Sequence, residues 1–137
     1  MAVRHGGGHN HRMGLYDMIM LKDNHIKVAG GIPQAIEAAR RALPLSIKLE
    51  VETSNLAEVE EAVRYGADII MLDNMDNDTM CEAVRLIAGR ARTEASGNMT
   101  LERLQSVAET GVDYISVGAL THSVTAMDIS MNFLLTQ

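Results

Sequence analysis

The sequence predicts an α/β fold: a parallel sheet built from repeated strand–helix units, open or closed into part of a barrel. Three observations predict it. Short apolar runs of strand length alternate with amphipathic stretches at helical spacing, the pattern of βα units feeding a parallel sheet. The runs begin near residues 47, 69, 93 and 113, a period of roughly 20–25 residues that suits one strand, one helix and two loops. Gly66-Ala67-Asp68-Ile69 and Gly111-Val112-Asp113-Tyr114 occupy equivalent joints of that repeat.

Residues 1–8, with Gly6 to Gly8 in a row, read as a loop able to approach a ligand or as a flexible tail. The stretch His9 to His25 packs histidines and cations beside a short apolar run, Met18 to Leu21. That run is a first strand, Asp17 to Lys22, ended sharply by Lys22, Asp23, Asn24 and His25. A Gly30-Gly31 turn leads to a helix with Pro33 in its first turn, an Ile36, Ala39, Leu43 stripe, and Pro44 as its end.

Residues 47–52 alternate apolar and polar, a second strand. Asn55 caps the next helix and Glu58 completes a box-like pair. Leu56, Val59 and Val63 form the buried face of that helix, and Gly66 stops it. Ala67 to Asn74 reads as a fully buried strand ending in a carboxylate and an amide. A helix from about Asp78 to Ala88 follows, with Val84 and Ile87 inward and Cys81 serving as packing.

Thr93 to Ser96 is a short strand running into Gly97-Asn98. Thr100 caps another helix, with Leu101, Leu104 and Val107 inward and Gly111 as the stop. Val112 to Val117 is the next strand, ending at Gly118. Then the period changes: Met127, Ile129, Met131 and Phe133 alternate with Asp128, Ser130 and Asn132, a half-buried strand. Such a strand needs a sheet to join, and about five parallel strands are too few for an eight-stranded barrel. Residues 1–126 are therefore expected to form a (β/α) barrel portion, with 127–137 a C-terminal strand whose sheet lies outside this sequence.

Of 137 residues, 47% are hydrophobic, the composition of a globular chain. No run approaches the length of a membrane span, and the N-terminus lacks the apolar core of a signal peptide. A single cysteine excludes an internal disulfide and fits a reducing cytoplasm. Aromatic residues, at 3%, are too scarce for base stacking on nucleic acid. The net charge is −6, yet residues 1–27 gather Arg4, Arg12, Lys22, Lys27 and four of the five histidines. A local basic focus in an acidic chain points to a small anionic ligand rather than a nucleic-acid backbone.

Ligands of parallel α/β folds bind at the carboxyl ends of the strands. Those ends deliver Lys22 and Asn24, then Glu50 or Glu52, then Asp73 and Asn74, then Ser96-Gly97-Asn98, then Gly118 with Thr121 and His122. Small-residue turns leading to helix N-termini bind phosphate through free N–H groups and the helix dipole. Two carboxylates could hold Mg²⁺ beside substrate phosphates, or grip ribose hydroxyls. His11, Arg12 and Lys22 suit carboxylates, and arginine can bind one in bidentate fashion. The sum is a pocket for a phosphorylated sugar next to a carboxylate-bearing molecule.

The motifs Gly-Gly-Gly-x-Asn-His-Arg-x-Gly-Leu-x-Asp, Leu-Lys-Asp-Asn-His, Glu-Val-Glu, Met-Leu-Asp-Asn-Met, Ala-Ser-Gly-Asn and Gly-Val-Asp-Tyr-Ile-Ser-Val-Gly-Ala-Leu-Thr-His-Ser follow one another in this order. Together they resemble quinolinate phosphoribosyltransferase, also called nicotinate-nucleotide pyrophosphorylase (carboxylating), from about Ala2 to the C-terminus. The resemblance implies a partial TIM-like α/β barrel and a pentosyltransferase of NAD biosynthesis. Quinolinate and phosphoribosyl pyrophosphate would give nicotinate mononucleotide, CO₂ and pyrophosphate, with Mg²⁺. By position, His11, Arg12 and Lys22 would hold the two carboxylates of quinolinate. Glu52 and Asp73 would form the acidic pair near the ribose and the metal, bound directly or through water. Ser96, Gly97, Asn98, Gly118 and His122 would line the phosphate side, and Lys22, Glu52 and Asp73 would be the catalytic set.

Members of this family are about twice as long, with an N-terminal α/β domain, an arginine-rich motif upstream, and sites completed across a homodimer. Asn98 stands where many members have a second glycine. A non-catalytic portion that only folds or assembles with a partner is one alternative. A related transferase with another acceptor, such as those linked to molybdenum transport, is another. The Asn-His-Arg and Lys-Asp-Asn-His motifs fit the dicarboxylate acceptor better.

Overall fold

The computed structural model describes residues 1–134. Five parallel strands cross one sheet in chain order: β1 (Met18–Leu21), β2 (Lys48–Thr53), β3 (Ile69–Asp73), β4 (Arg92–Ser96) and β5 (Tyr114–Ile115). A short helix α1 (Ala2–His5) precedes them, and α2 (Asp23–Ala29) and α3 (Ile32–Ala42) link β1 to β2. The later links are α4 (Leu56–Arg64), α5 (Asn77–Ile87) and α6 (Leu101–Ala108), and α7 (Ala119–His122) follows β5. The strand order never reverses, as it does in a doubly wound sheet. Crossovers of one hand, each stepping to the same side, leave their helices on one face. That is the build of a barrel wall.

Strand alternation sorts the side chains. Leu21, Leu49, Val51, Ile70, Leu72 and Ala95 turn toward the helices. There they join Ile32 and Ile36 of α3, Val59 and Ala62 of α4, Met80, Ala83 and Ile87 of α5, and Val107 of α6 in one apolar core. The opposite face is different. Register pairs Met20 with Glu50, Glu52 with Met71, Met71 with Glu94, and Asp73 with Ser96. Parallel strands ordinarily read as apolar on both faces; here one face of the wall carries three glutamates and an aspartate.

The caps explain where the helices begin. Asn55 accepts a hydrogen bond from the Glu58 N–H at 3.0 Å. The Glu58 carboxylate returns to the Ser54 N–H and hydroxyl, at 2.7 and 2.9 Å, rather than to Asn55 itself. Asp76 accepts from the Thr79 N–H at 2.8 Å, which starts α5 ahead of Asp78. The repeat joints are built alike. Asp68 accepts from the Leu49 N–H at 2.7 Å and from Arg40 at 2.7 Å. Asp113 accepts from the Thr93 N–H at 2.8 Å and from Arg92 at 2.6 Å. In each, an aspartate entering one strand satisfies the backbone of the strand before it.

Several expectations are corrected. Residues 2–5 form a helical turn rather than a loop. Asp23–Ala29 is a helix that the pattern did not predict; it buries no residue fully, and only Ile26 and Ala29 pack against the core. A hydrogen bond from the Lys22 N–H to His25 Nδ1 at 3.0 Å starts it, and Gly30 at φ 92° ends it. Leu101 is 82% exposed at the first position of α6, although Val107 is buried as expected. Thr100 takes the N-cap position without a side-chain bond. The Val112–Val117 strand shrinks to two residues, Tyr114 and Ile115. Residues 127–134 are exposed and form no strand within this chain; the expected strand was one that joins a sheet outside it, and residues 135–137 of that segment lie outside the described residues. Among the described residues, no helix is long and apolar enough to cross a membrane.

Candidate active site

The carboxyl ends of the parallel strands form one rim, and the register aligns them. Lys22 leaves the end of β1 as the N-cap of α2. Glu52 stands one residue before the end of β2 and Asp73 ends β3, both half-buried and on the inner face. Ser96 ends β4 beside Asp73. Gly118 follows β5 as the N-cap of α7, and a Cβ there would come within 3.1 Å of His122 Nε2. Thus Lys22, Glu52, Asp73, Ser96 and Gly118 share one end of the sheet, as the strand-end argument requires. A shallow cleft of about 240 Å³ opens at this rim, lined by Asp23, Glu52, Thr53, Ser54 and Glu58 among others.

The charges interact. The Glu52 carboxyl is held above its usual range, first by desolvation and then by the negative charge of Asp73, with Lys22 acting against both. An all-oxygen pair of this kind suits a hard divalent cation. Arg12 comes from the loop before β1, where its Nη1 donates to the Met18 carbonyl at 3.2 Å. Asn74 donates through Nδ2 to Asp73 Oδ2 at 2.8 Å and accepts from Asn98 Nδ2 at 2.9 Å.

One layer beneath the rim lies a second acidic group. Glu50 is wholly buried, and neither of its oxygens has a hydrogen-bond partner among the described residues. Burial pushes its carboxyl up to about 8, helped by the charge of Glu94 and opposed by Arg12 and Lys22. His11 Nε2 sits 3.3 Å from one oxygen of Glu50 and 3.3 Å from one of Glu94. Ser116 donates to the other Glu94 oxygen at 2.5 Å. Burial first, and the neighbouring carboxylate second, favour the protonated form of Glu50. The donors of His11, Glu50 and Glu94 lie within 4.8 Å of one another, the spacing of a divalent-ion site, and neither Glu52 nor Asp73 belongs to that group.

His11 Nε2 thus touches the buried acids while its side chain stays 33% exposed, and Glu50 beneath it also feels the charges of Arg12 and Lys22. Glu94 escaped the sequence reading altogether. Its signal was a lone glutamate between the buried Thr93 and Ala95, matched by Glu50 between Leu49 and Val51.

A wall of parallel strands with cations, acids and glycine turns along its carboxyl rim defines a class, the barrel proteins that bind ligands at that end. The chain belongs to the family of the quinolinate phosphoribosyl transferase C-terminal domain, whose profile matches residues 1–132. It is 51% identical, over 95% of its length, to a tobacco (Nicotiana tabacum) protein named quinolinate phosphoribosyltransferase [decarboxylating] 2a, mitochondrial, covering 42% of that protein. It is 50% identical, over 96% of its length, to a probable nicotinate-nucleotide pyrophosphorylase [carboxylating] of Bacillus subtilis, covering 45% of it. The crystal structure of a NadC deletion mutant superposes with a TM-score of 0.93 at 48% identity, covering 96% of this chain and 47% of that one. The chain thus spans less than half the length of these relatives.

Proposed function

We propose that this chain carries the substrate rim of an enzyme that transfers phosphoribose from phosphoribosyl pyrophosphate to quinolinate. The ring nitrogen bonds to C1 of the ribose as the bond from C1 to the pyrophosphate oxygen breaks. The carboxyl group next to the nitrogen then leaves as CO₂, and a proton takes its place. The observation that carries the reading is the set of Lys22, Glu52 and Asp73 on one rim, with Glu52 and Asp73 on one face of the sheet.

Each residue has a task. Arg12 and Lys22 receive the acceptor's carboxylates together with His11, whose ring also touches the buried Glu50 and Glu94. Departure of pyrophosphate leaves positive charge on the sugar. Carboxylates at Glu52 and Asp73 stabilise that charge more in the transition state than in the ground state. Ser96, Gly97 and Asn98 after β4 take the phosphate side through the backbone N–H groups of their turn, and Gly118 with His122 completes it. Glu52 and Asp73 would hold Mg²⁺, directly or through water; their oxygen donors and mutual repulsion fit that ion. When bound it would neutralise the pyrophosphate oxygens. The active assembly is a homodimer completed by further chain, in a reducing cytoplasm consistent with Cys81 as the one cysteine.

Isothermal titration of phosphoribosyl pyrophosphate with Mg²⁺ tests this. The 137-residue chain binds, and Asp73→Ala binds at least about tenfold more weakly. Equal binding by both would sink the assignment. Turnover of quinolinate, alone and with a supplied N-terminal domain, separates a catalytic portion from one that only assembles.

A further inference from the structure

We propose that Asn74 and Asn98 are positioning residues: a relay of two side-chain amides that fixes the Asp73 carboxylate in the strand-end site. The inference rests on the role given to Asp73 above and adds how that carboxylate is aimed.

Chemistry sets the direction of the relay. An ionised carboxylate only accepts hydrogen bonds. Asn74 must therefore turn its Nδ2 to Asp73, which it does at 2.8 Å. Its Oδ1 then points away and needs a donor, and Asn98 Nδ2 supplies one at 2.9 Å. The backbone is shaped around this amide. Asn74 and Asn98 both have left-handed φ, 55° and 49°, which non-glycine residues adopt rarely. Gly97 between the strands has φ 85°, and a Cβ there would stand 2.3 Å from Asn74 Oδ1. Only glycine leaves room for the amide. The Asn74 N–H donates to the Ser96 carbonyl at 3.0 Å, so the turns after β3 and β4 are clasped together. The Asn98 carbonyl in turn accepts from Arg103 of α6 at 3.2 Å.

The result is that one oxygen of Asp73 is held through a chain reaching α6, and the carboxylate cannot swing freely. Groups that hydrogen-bond a ligating carboxylate typically change metal or ligand affinity 10–100-fold.

Asn74→Gly and Asn98→Gly test the relay, since glycine keeps the left-handed backbone and deletes only the amide. The measurement is the Kd for phosphoribosyl pyrophosphate with Mg²⁺ on the full chain, by isothermal titration. The variants are Asn74→Gly, Asn98→Gly, Asp73→Asn, and each glycine variant combined with Asp73→Asn. Asn74→Gly is expected to weaken binding about tenfold, and Asn98→Gly by less. Neither should weaken it further when Asp73 is already asparagine, because non-additivity marks action through a shared group. A merely structural role would instead give losses that add. Additive losses, or single variants that bind like the unsubstituted chain, overturn the inference while leaving the proposed function standing. No binding by the unsubstituted chain removes both. If Asn74→Gly fails to fold, the exposed Asn98 decides by the same cycle.

Discussion

Glu50 shows most clearly what a single residue in this wall must tolerate. It is 0% exposed, its oxygens lack hydrogen-bond partners among the described residues, and its carboxyl is held at about 8 against 4.5 for a free one. The sign follows from linkage. Below the free value, both folded and unfolded chains hold the proton. Between the two values only the folded chain does, so unfolding releases a proton and stability falls as pH rises. The slope for one proton is about 1.4 kcal/mol per pH unit. Above the folded value the contribution is gone. Glu50→Gln mimics the protonated form at every pH. Urea denaturation at about pH 5 and about pH 8 should show stability falling with pH in the native chain and falling less in Glu50→Gln. Parallel losses in the two chains would mean that Glu50 ionises normally.

At the scale of the elements, burial separates strand positions from helix positions that look alike in sequence. Ile70 in β3 is fully buried in the core between sheet and helices, so Ile70→Ala should cost roughly 2–5 kcal/mol. Leu101 of α6 faces solvent, so Leu101→Ala should stay within about 0.5 kcal/mol. Urea denaturation of the two variants checks the contrast, and similar losses would show that α6 packs differently. The helical stripe was legible, but its first member was misassigned. A residue in the first turn can lie beyond the edge of the face that its period suggests. The joints at Asp68 and Asp113 were legible as a repeat, because the same local problem recurs. Each satisfies the backbone N–H of the second residue of the neighbouring strand, and each is paired with an arginine.

For the whole molecule, the one-sided placement of helices is the decisive feature. It gives the sheet an apolar outside and an acidic inside, and it puts the candidate site at the carboxyl rim and the arginine–aspartate joints at the other end. Stability and ligand chemistry thus occupy opposite ends of the strands, as in closed barrels. The segment after Ser123 stands apart from this: Met127 and Phe133 are 81% and 82% exposed. A chain ended after Ser123 should therefore melt within about 3 °C of the full chain in a thermal scan. A larger drop would place those apolar residues against the wall.

Sequence alone determined the order of the five parallel strands, the helices α3 to α6 between them, and the residues at the strand ends. Caps, glycine stops and apolar period are properties of neighbouring residues, so a linear reading finds them. It also found Asp73 and its neighbours Asn74 and Asn98 without showing that their amides touch. Tertiary structure alone decided what faces what. Glu50 and Glu94 became a buried pair with His11 Nε2 between them, because burial and pairing depend on residues far apart in the chain. The same reason governs the C-terminal alternation: a period of two states which side chains could share a face, but only a neighbouring strand can turn that possibility into a sheet.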